Sequence, residues 1–421
     1  MFKKATNAYL PFDTSASKQF GNILYEIGKD LSAKKQHNIA TMWLGRAYDI
    51  VSDHDREHRN DQVGELKMAI LHRWVKCLLA LHTDEDNQKA SNLIDLMEGE
   101  YPDNSAASLL RLELLAKQHP QNPEVYFTIM MRLIDSMTLT MPNFKLLVYH
   151  LHNLRKMDSS LACKALDELL SLRLFPARNA TLVEHAMVMR FWISILRSNE
   201  QDQIPIVNEL MGLLDLTVCT IDFTFSASGA HAAQTLIWRQ IDSTCNEQRQ
   251  YETTEAWCLL ALHPTFANTG HLNKAKICRK MMSSALARED FADARMAFFS
   301  MTDPDQLAPE SQYLLFKLAL YGGDAELAAS SLENLAKSEL EEAAELLHAC
   351  VLEAQKTGDK HLIAAASTKV LENFNASDEP RFLWWPPLLK STIRLLRREV
   401  ESDNVDKDLI EEICNIFEAG K

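Results

Sequence analysis

Acidic clusters are the side chains in this sequence that most resemble a catalytic pair. They are Glu341-Glu342-x-x-Glu345 and Glu411-Glu412. Paired carboxylates can act as general acid and base, but runs of glutamate on a helix are typical of a solvated face. His150 and His152 lie two residues apart, which puts them on different faces of a helix and prevents both from binding one metal ion. We therefore predict no catalytic and no metal-ligating residue.

The known cofactor and nucleophile motifs are also missing from the sequence. It contains no G-x-x-x-x-G-K-[ST] or G-x-G-x-x-G for phosphate binding, and no G-x-S-x-G around a serine. Glu184-His185 stands alone, without the H-E-x-x-H pattern of a zinc enzyme. The prediction is a protein that is not an enzyme and has no cofactor and no small-molecule substrate. A helical enzyme with an unfamiliar site is the least favoured alternative.

A set of cationic and aromatic residues has the chemistry of protein recognition. The candidate partner-binding residues are Lys276, Arg279, Tyr313, Lys317 and Tyr321. Such a stripe suits an acidic or aromatic peptide. The alternative interpretation is a solvated helix face with one or two half-buried tyrosines. Leu320 belongs to the same stripe, and Tyr25 and Lys29 take the equivalent place near the N-terminus.

These residues need helices to position them, and the apolar pattern predicts helix hairpins. Leu24, Gly28 and Leu31, with Ile27, form one stripe at helical spacing, and Ala40, Leu44 and Ala47 form a second stripe after a polar break. Small residues at Gly28 and Ala40 would let the two helices approach closely. This is the pattern of a tetratricopeptide repeat (TPR), a helix pair of about 34 residues.

The frame recurs along the chain. It returns at Leu71, Trp74, Cys77, Leu78, Ala90, Ile94 and Met97. Cys278, Ala285, Ala294, Phe298 and Met301 are followed one repeat later by Gln312, Ala319, Ala328, Leu332 and Leu335. Leu346–Val370 forms a further hairpin, with its turn at Gly358-Asp359. The predicted fold class is therefore all-α, a right-handed α-solenoid of TPR-like helix hairpins.

Between the two regular regions the helices continue but the frame weakens. Amphipathic helices are predicted at residues 144–154, 161–174, 182–196 and 204–216, with breaks at Pro176 and at 226–229, and 218–225 is interpreted as a helix-end loop. The predicted organisation is an N-terminal extension at 1–20, TPR-like hairpins at 21–102, irregular helical repeats at 103–233, TPR-like hairpins at 234–375 and a C-terminal helical segment at 376–421.

Composition and charge restrict the classes of partner. The chain has 421 residues, with 44 Lys and Arg against 58 Asp and Glu, which gives a net charge of −14. A field of that sign disfavours broad contact with nucleic acid or anionic lipid. No stretch reaches the roughly 18 to 20 apolar residues of a membrane span. We expect no direct nucleic acid binding and no membrane contact.

The amino-acid sequence of several segments resembles that of the meiotic Spo-twenty-two/Zip-four family, which includes testis-expressed animal relatives. The segments are L-Y-E-I-G-K-D-L-S-A-K-K-Q-H-N-I-A-T-M-W-L-G-R-A-Y-D-I, T-L-I-W-R, Y-E-T-T-E-A-W-C-L-L-A-L-H-P-T-F, N-K-A-K-I-C-R-K-M-M-S-S-A-L-A-R-E-D-F-A-D-A-R and P-P-L-L-K-S-T-I-R-L-L. The likeness extends from Gly21 to Leu396 and is weakest between 103 and 233. Family members are usually longer, so we expect a truncated or shortened member.

The resemblance implies a function that composition and periodicity do not. It implies a nuclear TPR scaffold on meiotic chromosomes, which promotes crossover formation and synaptonemal complex assembly. The implied partners are proteins of the synapsis-initiation group and of the chromosome axis. The alternative is a general TPR adaptor in a housekeeping ubiquitin-ligase or transport complex, with the same array but other partners.

Three further features stay open as partner sites. The aromatic run at 382–387 is interpreted as a loop packed on the end of the array, or else as an exposed anchor. Arg394, Arg397 and Arg398 form a small basic face whose charge is offset by nearby acidic residues. Phe374-Asn375 is an aromatic-asparagine pair of a kind that some family members use, and no role is transferred to it.

Overall fold

The computed structural model describes residues 14–55, 61–102, 104–117, 122–198, 202–247, 250–338 and 340–375, together with Arg394 and Cys414. These residues form helices and connecting turns, with no strand among them. The chain divides into two compact units, Met1–Arg197 and Ser198–Lys421. Each unit is a stack of antiparallel helix hairpins, so the predicted all-α solenoid of TPR-like hairpins is confirmed.

Nine longer helices of the N-terminal unit are described, together with a three-residue helix at Phe175–Ala177. They are α1 (Thr14–Ala33), α2 (His37–Asp55), α3 (Asp61–Leu81), α4 (Asp84–Glu100), α5 (Ser105–Lys117), α6 (Pro123–Ser136), α7 (Met141–Met157), α8 (Ser159–Glu168) and α9 (Ala180–Ser198). The first helix therefore begins inside the segment that was predicted as an N-terminal extension.

The described helices of the C-terminal unit continue the same plan. They are α10 (Gln203–Ile221), α11 (Ala227–Asp242), α12 (Tyr251–Ala261), α13 (His271–Ala287), α14 (Phe291–Phe299), α15 (Asp303–Gln306), α16 (Pro309–Gly322), α17 (Ala325–Ala336), α18 (Glu341–Thr357) and α19 (Lys360–Asn375). The hairpins are α11–α12, α13–α14, α16–α17 and α18–α19. Because α13 contacts α16 and α16 contacts α18, the first helices of successive hairpins lie side by side.

Several hairpin turns share one local mechanism. A residue with positive φ ends the first helix at Glu289 (φ 62°), Gly323 (φ 73°) and Gly358 (φ 75°). The next residue in each case is an aspartate whose carboxylate accepts a backbone N–H of the second helix, as Asp324 Oδ1 does from Leu327 at 3.1 Å. The left-handed residue reverses the chain and the aspartate caps the new helix, so the turn sequence fixes where each hairpin closes.

The small residues of the repeat frame lie where two helices touch. Gly28 and Ala40 are buried between α1 and α2, and a Cβ atom at Gly28 would lie 2.7 Å from Leu44 Cγ. Ile27, predicted on the same stripe, is instead 37% exposed. The close approach predicted for the first hairpin is therefore correct, while its apolar stripe is narrower than the pattern indicates.

The recurring frame positions form continuous cores. In the N-terminal unit one cluster joins α3, α4 and α5, and its buried residues include Leu71, Leu78, Ala90, Ile94 and Met97. In the C-terminal unit a cluster joins α16 to α19 and includes Ala319, Ala328, Leu332 and Leu335. Such burial contributes about 25 cal/mol per Å2 of apolar surface, so the alignment of the frame from repeat to repeat is what holds each stack together.

The middle of the chain loses the frame for a visible reason. The four helices predicted there are present as α7, α8, α9 and α10, but α8 continues through a π-helical turn at Leu169–Leu174. A second π-helical turn, at Ser243–Glu247, follows α11 beyond this region. A π turn closes its hydrogen bonds over one residue more than an α turn. Each such turn therefore shifts the following residues out of a fixed repeat length.

Two local predictions need correction in this region. The β-branched residues at 218–221 belong to α10, and the loop occupies only 222–226, where Asp222 has φ 50°. The break that was predicted at 226–229 lies instead at 222–226, because Ser226 Oγ accepts the N–H of Gly229 and so starts α11. Both errors arise because tertiary packing and capping override local propensity.

The apolar helix α10 also corrects an expectation. By length and composition alone it could cross a membrane, contrary to the estimate from the sequence. It packs against α12, and Trp257 of that helix donates a hydrogen bond from Nε1 to Gln203 Oε1 at 2.9 Å. Its buried face includes Leu210 and Leu214, and 33% of its apolar window is buried.

Candidate functional site

An open groove of about 690 Å3 lies in the C-terminal unit, on the side formed by first helices of the hairpins. We call it the recognition groove. Helix α13 supplies its floor through Asn273, Lys276, Ile277 and Lys280, which recur at helical spacing on one face. The walls come from α11, which contributes Gln234, Thr235 and Trp238, from Cys245 and Asn246 beyond it, and from α16, which contributes Glu310, Tyr313 and Leu314.

The cations of the groove differ in whether they are already paired. Lys280 Nζ lies 3.0 Å from Asp242 Oδ1, so its charge is balanced by the last residue of α11. Arg279 donates from Nη1 to Ser311 Oγ at 3.3 Å, which is a neutral partner. Lys276 is exposed and has no ion pair among the residues that the structure describes. Lys276 and Arg279 of α13 therefore have no ion-pair partner within the described residues, although the charge of Arg279 interacts with the carboxylate of Asp305.

Aromatic and apolar side chains flank these cations. Trp238 and Tyr313 are half-buried on opposite walls, and Ile277 and Leu314 are buried below them. Such a composition is typical of protein-recognition sites, in which apolar contacts supply affinity and charges set orientation. The structure thus brings together three of the five predicted partner-binding residues, namely Lys276, Arg279 and Tyr313.

The other two predicted residues, Lys317 and Tyr321, contact a carboxylate of the next hairpin. Tyr321 donates to Glu353 Oε2 at 2.8 Å, and Lys317 Nζ lies 3.6 Å from Oε1 of the same residue. Lys356 Nζ also donates to Oε1, at 3.1 Å. Lys317 lies 5.7 Å from the ring centroid of Tyr313. This part of the predicted stripe is an internal cluster that joins α16 to α18.

Burial and charge act in opposite directions within this Glu353 cluster. Burial raises the pKa of Glu353, but hydrogen bonds from Tyr321 and Lys356 and the nearby charge of Lys317 outweigh it, so the pKa lies below the usual value for a glutamate. Burial, followed by the negative charge of Glu353, raises the pKa of Tyr313. The carboxylate is therefore ionised at neutral pH and both tyrosines keep their protons.

Glu353 was not among the residues predicted to bind a partner or to contact the stripe. Glu353 lies as far before the turn residue Gly358 as the buried Leu318 lies before Gly323. It is only 8% exposed, so it occupies a position that the repeat gives to an apolar residue. A charged side chain at an apolar frame position was the available signal, because such a residue is rarely buried without a partner.

A second groove, of about 1100 Å3, lies in the N-terminal unit and includes the predicted Tyr25. Its wall contains His72 and Arg73 of α3, and burial followed by the charges of Lys76 and Arg73 lowers the pKa of His72. Lys29 is occupied by an ion pair with Glu26 at 3.0 Å. This groove has the same position relative to its hairpins but offers fewer unpaired cations.

The histidines that were considered as ligands have structural contacts instead. His150 is buried, and its Nδ1 lies 2.8 Å from the hydroxyl of Tyr126. His152 stacks on Trp192 at 5.5 Å between ring centroids, and Arg155 lies over the same indole at 4.4 Å. Within the described ranges no group of three or more His, Cys, Asp or Glu side chains is arranged to hold a metal ion.

Several features that the sequence analysis names lie wholly or partly outside the described residues. The acidic pair Glu411-Glu412, the aromatic run at 382–387, Arg397 and Arg398 lie outside the described residues, as do the side chains of Phe374 and Asn375 at the end of α19. Glu342 and Glu345 of the other acidic cluster are exposed on α18.

Comparison with solved structures yields helical proteins of low similarity. The crystal structure of yeast Tom70 matches with a TM-score of 0.23 and 10% identity, covering 96% of both chains. A circular tandem repeat protein with novel repeat topology matches with a TM-score of 0.21 and 14% identity, covering 97% of this chain and 99% of the other.

Comparison by sequence points to one family. Sporulation-specific protein 22 of Saccharomyces cerevisiae is 22% identical over 296 residues, which are 70% of this chain and 30% of the yeast protein, so the chain spans about 30% of the length of this relative. The model of the family described as "Meiosis protein SPO22/ZIP4 like" matches residues 1–263. That match includes residues 103–233, where the resemblance of the sequence is weakest. Since it covers more than half of the chain, the protein belongs to the SPO22/ZIP4-like family of meiosis proteins.

Proposed function

We propose that this protein is a non-enzymatic scaffold for meiotic recombination. It would promote crossover formation and synaptonemal complex assembly by binding several protein partners on chromosomes. The observation that carries the proposal is the family match over residues 1–263 in a chain built of helix hairpins. A place in the nucleus, on meiotic chromosomes, is part of the same proposal, as are partners from the synapsis-initiation group and the chromosome axis.

The mechanism follows from the arrangement of grooves on a helical stack. Each hairpin exposes one face of its first helix, so a stack of hairpins offers several modest binding surfaces in a row. Partners that are tethered to one another engage such surfaces at high effective concentration, and weak contacts then add to a stable assembly. The two grooves described above support this mode of action.

The predicted partner-binding residues take two roles in the proposal. Lys276, Arg279 and Tyr313 line the recognition groove and would contact partners directly. Lys317 and Tyr321 would act indirectly, because their bonds to Glu353 hold α18 beside α16 and so stiffen one end of the groove. Reversing the charge of Lys317 would leave two acidic groups in contact, which makes it a poor probe of binding.

The test is affinity purification of the tagged chain from cells in meiotic prophase, with a mitotic culture expressing the same tagged chain as control. Recovery of crossover or axis proteins in the meiotic sample alone is the expected result. The double variant Lys276→Glu and Arg279→Glu should recover less of them with unchanged helicity by circular dichroism. Recovery of the same housekeeping proteins from both cultures would favour the general adaptor and refute the meiotic role.

A further inference from the structure

The recognition groove combines unpaired positive charge with an apolar pocket, although the chain as a whole carries a net charge of −14. Lys276 and Arg279 are separated by less than one helical turn, so both project from the same side of α13. At Lys317 the chain supplies its own carboxylate, Glu353, to the cation. At Lys276 and Arg279 no acidic side chain of the described residues forms an ion pair, although the charge of Arg279 interacts with the carboxylate of Asp305, so a carboxylate of a ligand can pair with them as Glu353 pairs with Lys317.

A buried amide gives an independent indication of a ligand. Gln234, on the α11 wall, is 7% exposed and donates from Nε2 to the carbonyl of Ala261 at 3.0 Å. That bond fixes the orientation of the amide, because only its nitrogen can donate. Its Oε1 is buried and accepts no hydrogen bond from the described residues. An unsatisfied buried acceptor is costly, and a donor N–H from a bound chain would satisfy it by displacing the side chains that cover this oxygen in the empty groove.

We propose that the recognition groove binds an acidic, extended segment of a partner protein. Carboxylates of that segment pair with Lys276 and Arg279, and one bulky apolar side chain packs between Trp238, Ile277 and Leu314. A main-chain N–H beside that side chain donates to Gln234 Oε1. The inference rests on the proposed scaffold function and adds to it the chemistry of the partner and the place where it binds.

The geometry favours an extended segment over other ligands. The three helices that line the groove contribute a cation pair, an apolar pocket and a buried acceptor at separate points, and an extended chain presents carboxylates, an apolar side chain and free N–H groups together. Nucleic acid would supply negative charge, but the exposed carboxylate of Glu310 on the α16 wall would repel a continuous run of phosphates. A peptide can place a neutral residue at that point.

The test uses the full chain and fluorescein-labelled synthetic peptides in anisotropy titrations at physiological salt. The first peptide alternates glutamate with small residues and has one central phenylalanine. In a second peptide every glutamate is replaced by glutamine, and in a third the phenylalanine is replaced by alanine. We expect the first peptide to bind and the other two to bind about tenfold more weakly or less.

Matched protein variants locate the binding. Lys276→Glu with Arg279→Glu should weaken binding of the first peptide about tenfold or more, because attraction becomes repulsion. Lys274→Glu with Lys145→Glu changes the net charge equally at exposed positions outside the groove and should change affinity less than about twofold. N-methylation of the peptide bond beside the phenylalanine should weaken binding, whereas N-methylation at the peptide ends should not.

Three results would overturn the proposal. The first is binding of the glutamine peptide with the same affinity as the glutamate peptide. The second is an equal loss of affinity in both double variants. The third is displacement of the glutamate peptide by a DNA oligonucleotide of matched charge. None of these depends on the meiotic role. If the peptides do not bind while the intact chain still captures meiotic proteins selectively, the groove is not the binding site and the scaffold function is retained. If selective capture fails while the peptides bind, the meiotic role is wrong and the groove stands.

Discussion

Substituting Gly28 by alanine tests whether α1 and α2 approach each other as closely as the repeat frame requires. The new Cβ would lie 2.7 Å from Leu44 Cγ and 2.8 Å from its Cδ2, well inside van der Waals contact. Leu44 is fully buried, so it has little room to move. Forced overpacking of this kind costs about 1 to 3 kcal/mol.

Helix propensity acts in the opposite direction, because alanine favours a helix over glycine by about 1 kcal/mol. The expected net effect of Gly28→Ala is therefore a loss of about 1 kcal/mol in the free energy of unfolding. Gly99→Ala is the matched control in the same unit, since a Cβ there meets no atom within 4 Å. It should be neutral or stabilising by up to about 1 kcal/mol.

The assay is urea unfolding followed by circular dichroism, with hydrogen exchange to resolve the hairpin concerned. Single hairpins of a stack can open locally, so exchange of α1 and α2 should accelerate in Gly28→Ala and not in Gly99→Ala. Shortening Leu44 to alanine should reduce the penalty at Gly28 in a double-mutant cycle. Equal stability of the two glycine variants would refute the close approach of these helices.

Two further perturbations test the packing of the core at Ala328 and the protonation of the buried His150. Ala328→Arg places a charge where α17 is fully buried and should lower the melting temperature strongly or prevent folding, whereas Ala329→Arg, exposed on the same helix, should not; similar melting of both variants would show that the frame is misplaced. Burial lowers the pKa of His150 from 6.5 to about 4. The unfolded chain then binds a proton that the folded chain does not, so stability should fall by about 3 kcal/mol as the pH falls through that interval. Urea unfolding at several pH values across that range gives the free energy of unfolding as a function of pH. This free energy should fall less steeply with falling pH in His150→Gln than in the unmodified protein, and an equally steep fall would contradict the pKa shift of His150.

The fold could be predicted because the repeat pattern is carried by small residues and turns. Gly28, Ala294 and Ala328 are small residues buried in the hairpins, where they permit close approach of two helices, so their spacing reveals the hairpin directly. The pairing of a left-handed residue with a capping aspartate at Gly323-Asp324 and Gly358-Asp359 marks the same boundaries. The π turns could not be predicted, because no residue type is specific to them.

The candidate site was predicted only in part, for a physical reason. Frame positions indicate which side chains of a first helix face the groove, and they identified Lys276, Arg279 and Tyr313. They do not reveal which groups of the next hairpin meet those side chains. The ion pair between Lys317 and Glu353 depends on how far α18 lies from α16, and that distance is set by packing along the whole hairpin. The unsatisfied oxygen of Gln234 likewise becomes visible only with coordinates.

The place of Cys245 beside the groove has a practical consequence. The buried cysteines are Cys77, Cys163, Cys258, Cys278 and Cys350. Burial raises the pKa of each of these thiols, which keeps them unreactive toward alkylating reagents. Cys245 is half-buried and lines the groove, while Cys219 and Cys414 are exposed elsewhere. The protein thus contains a native chemical reporter, since a bound segment shields Cys245 from labelling and leaves Cys219 as an internal reference.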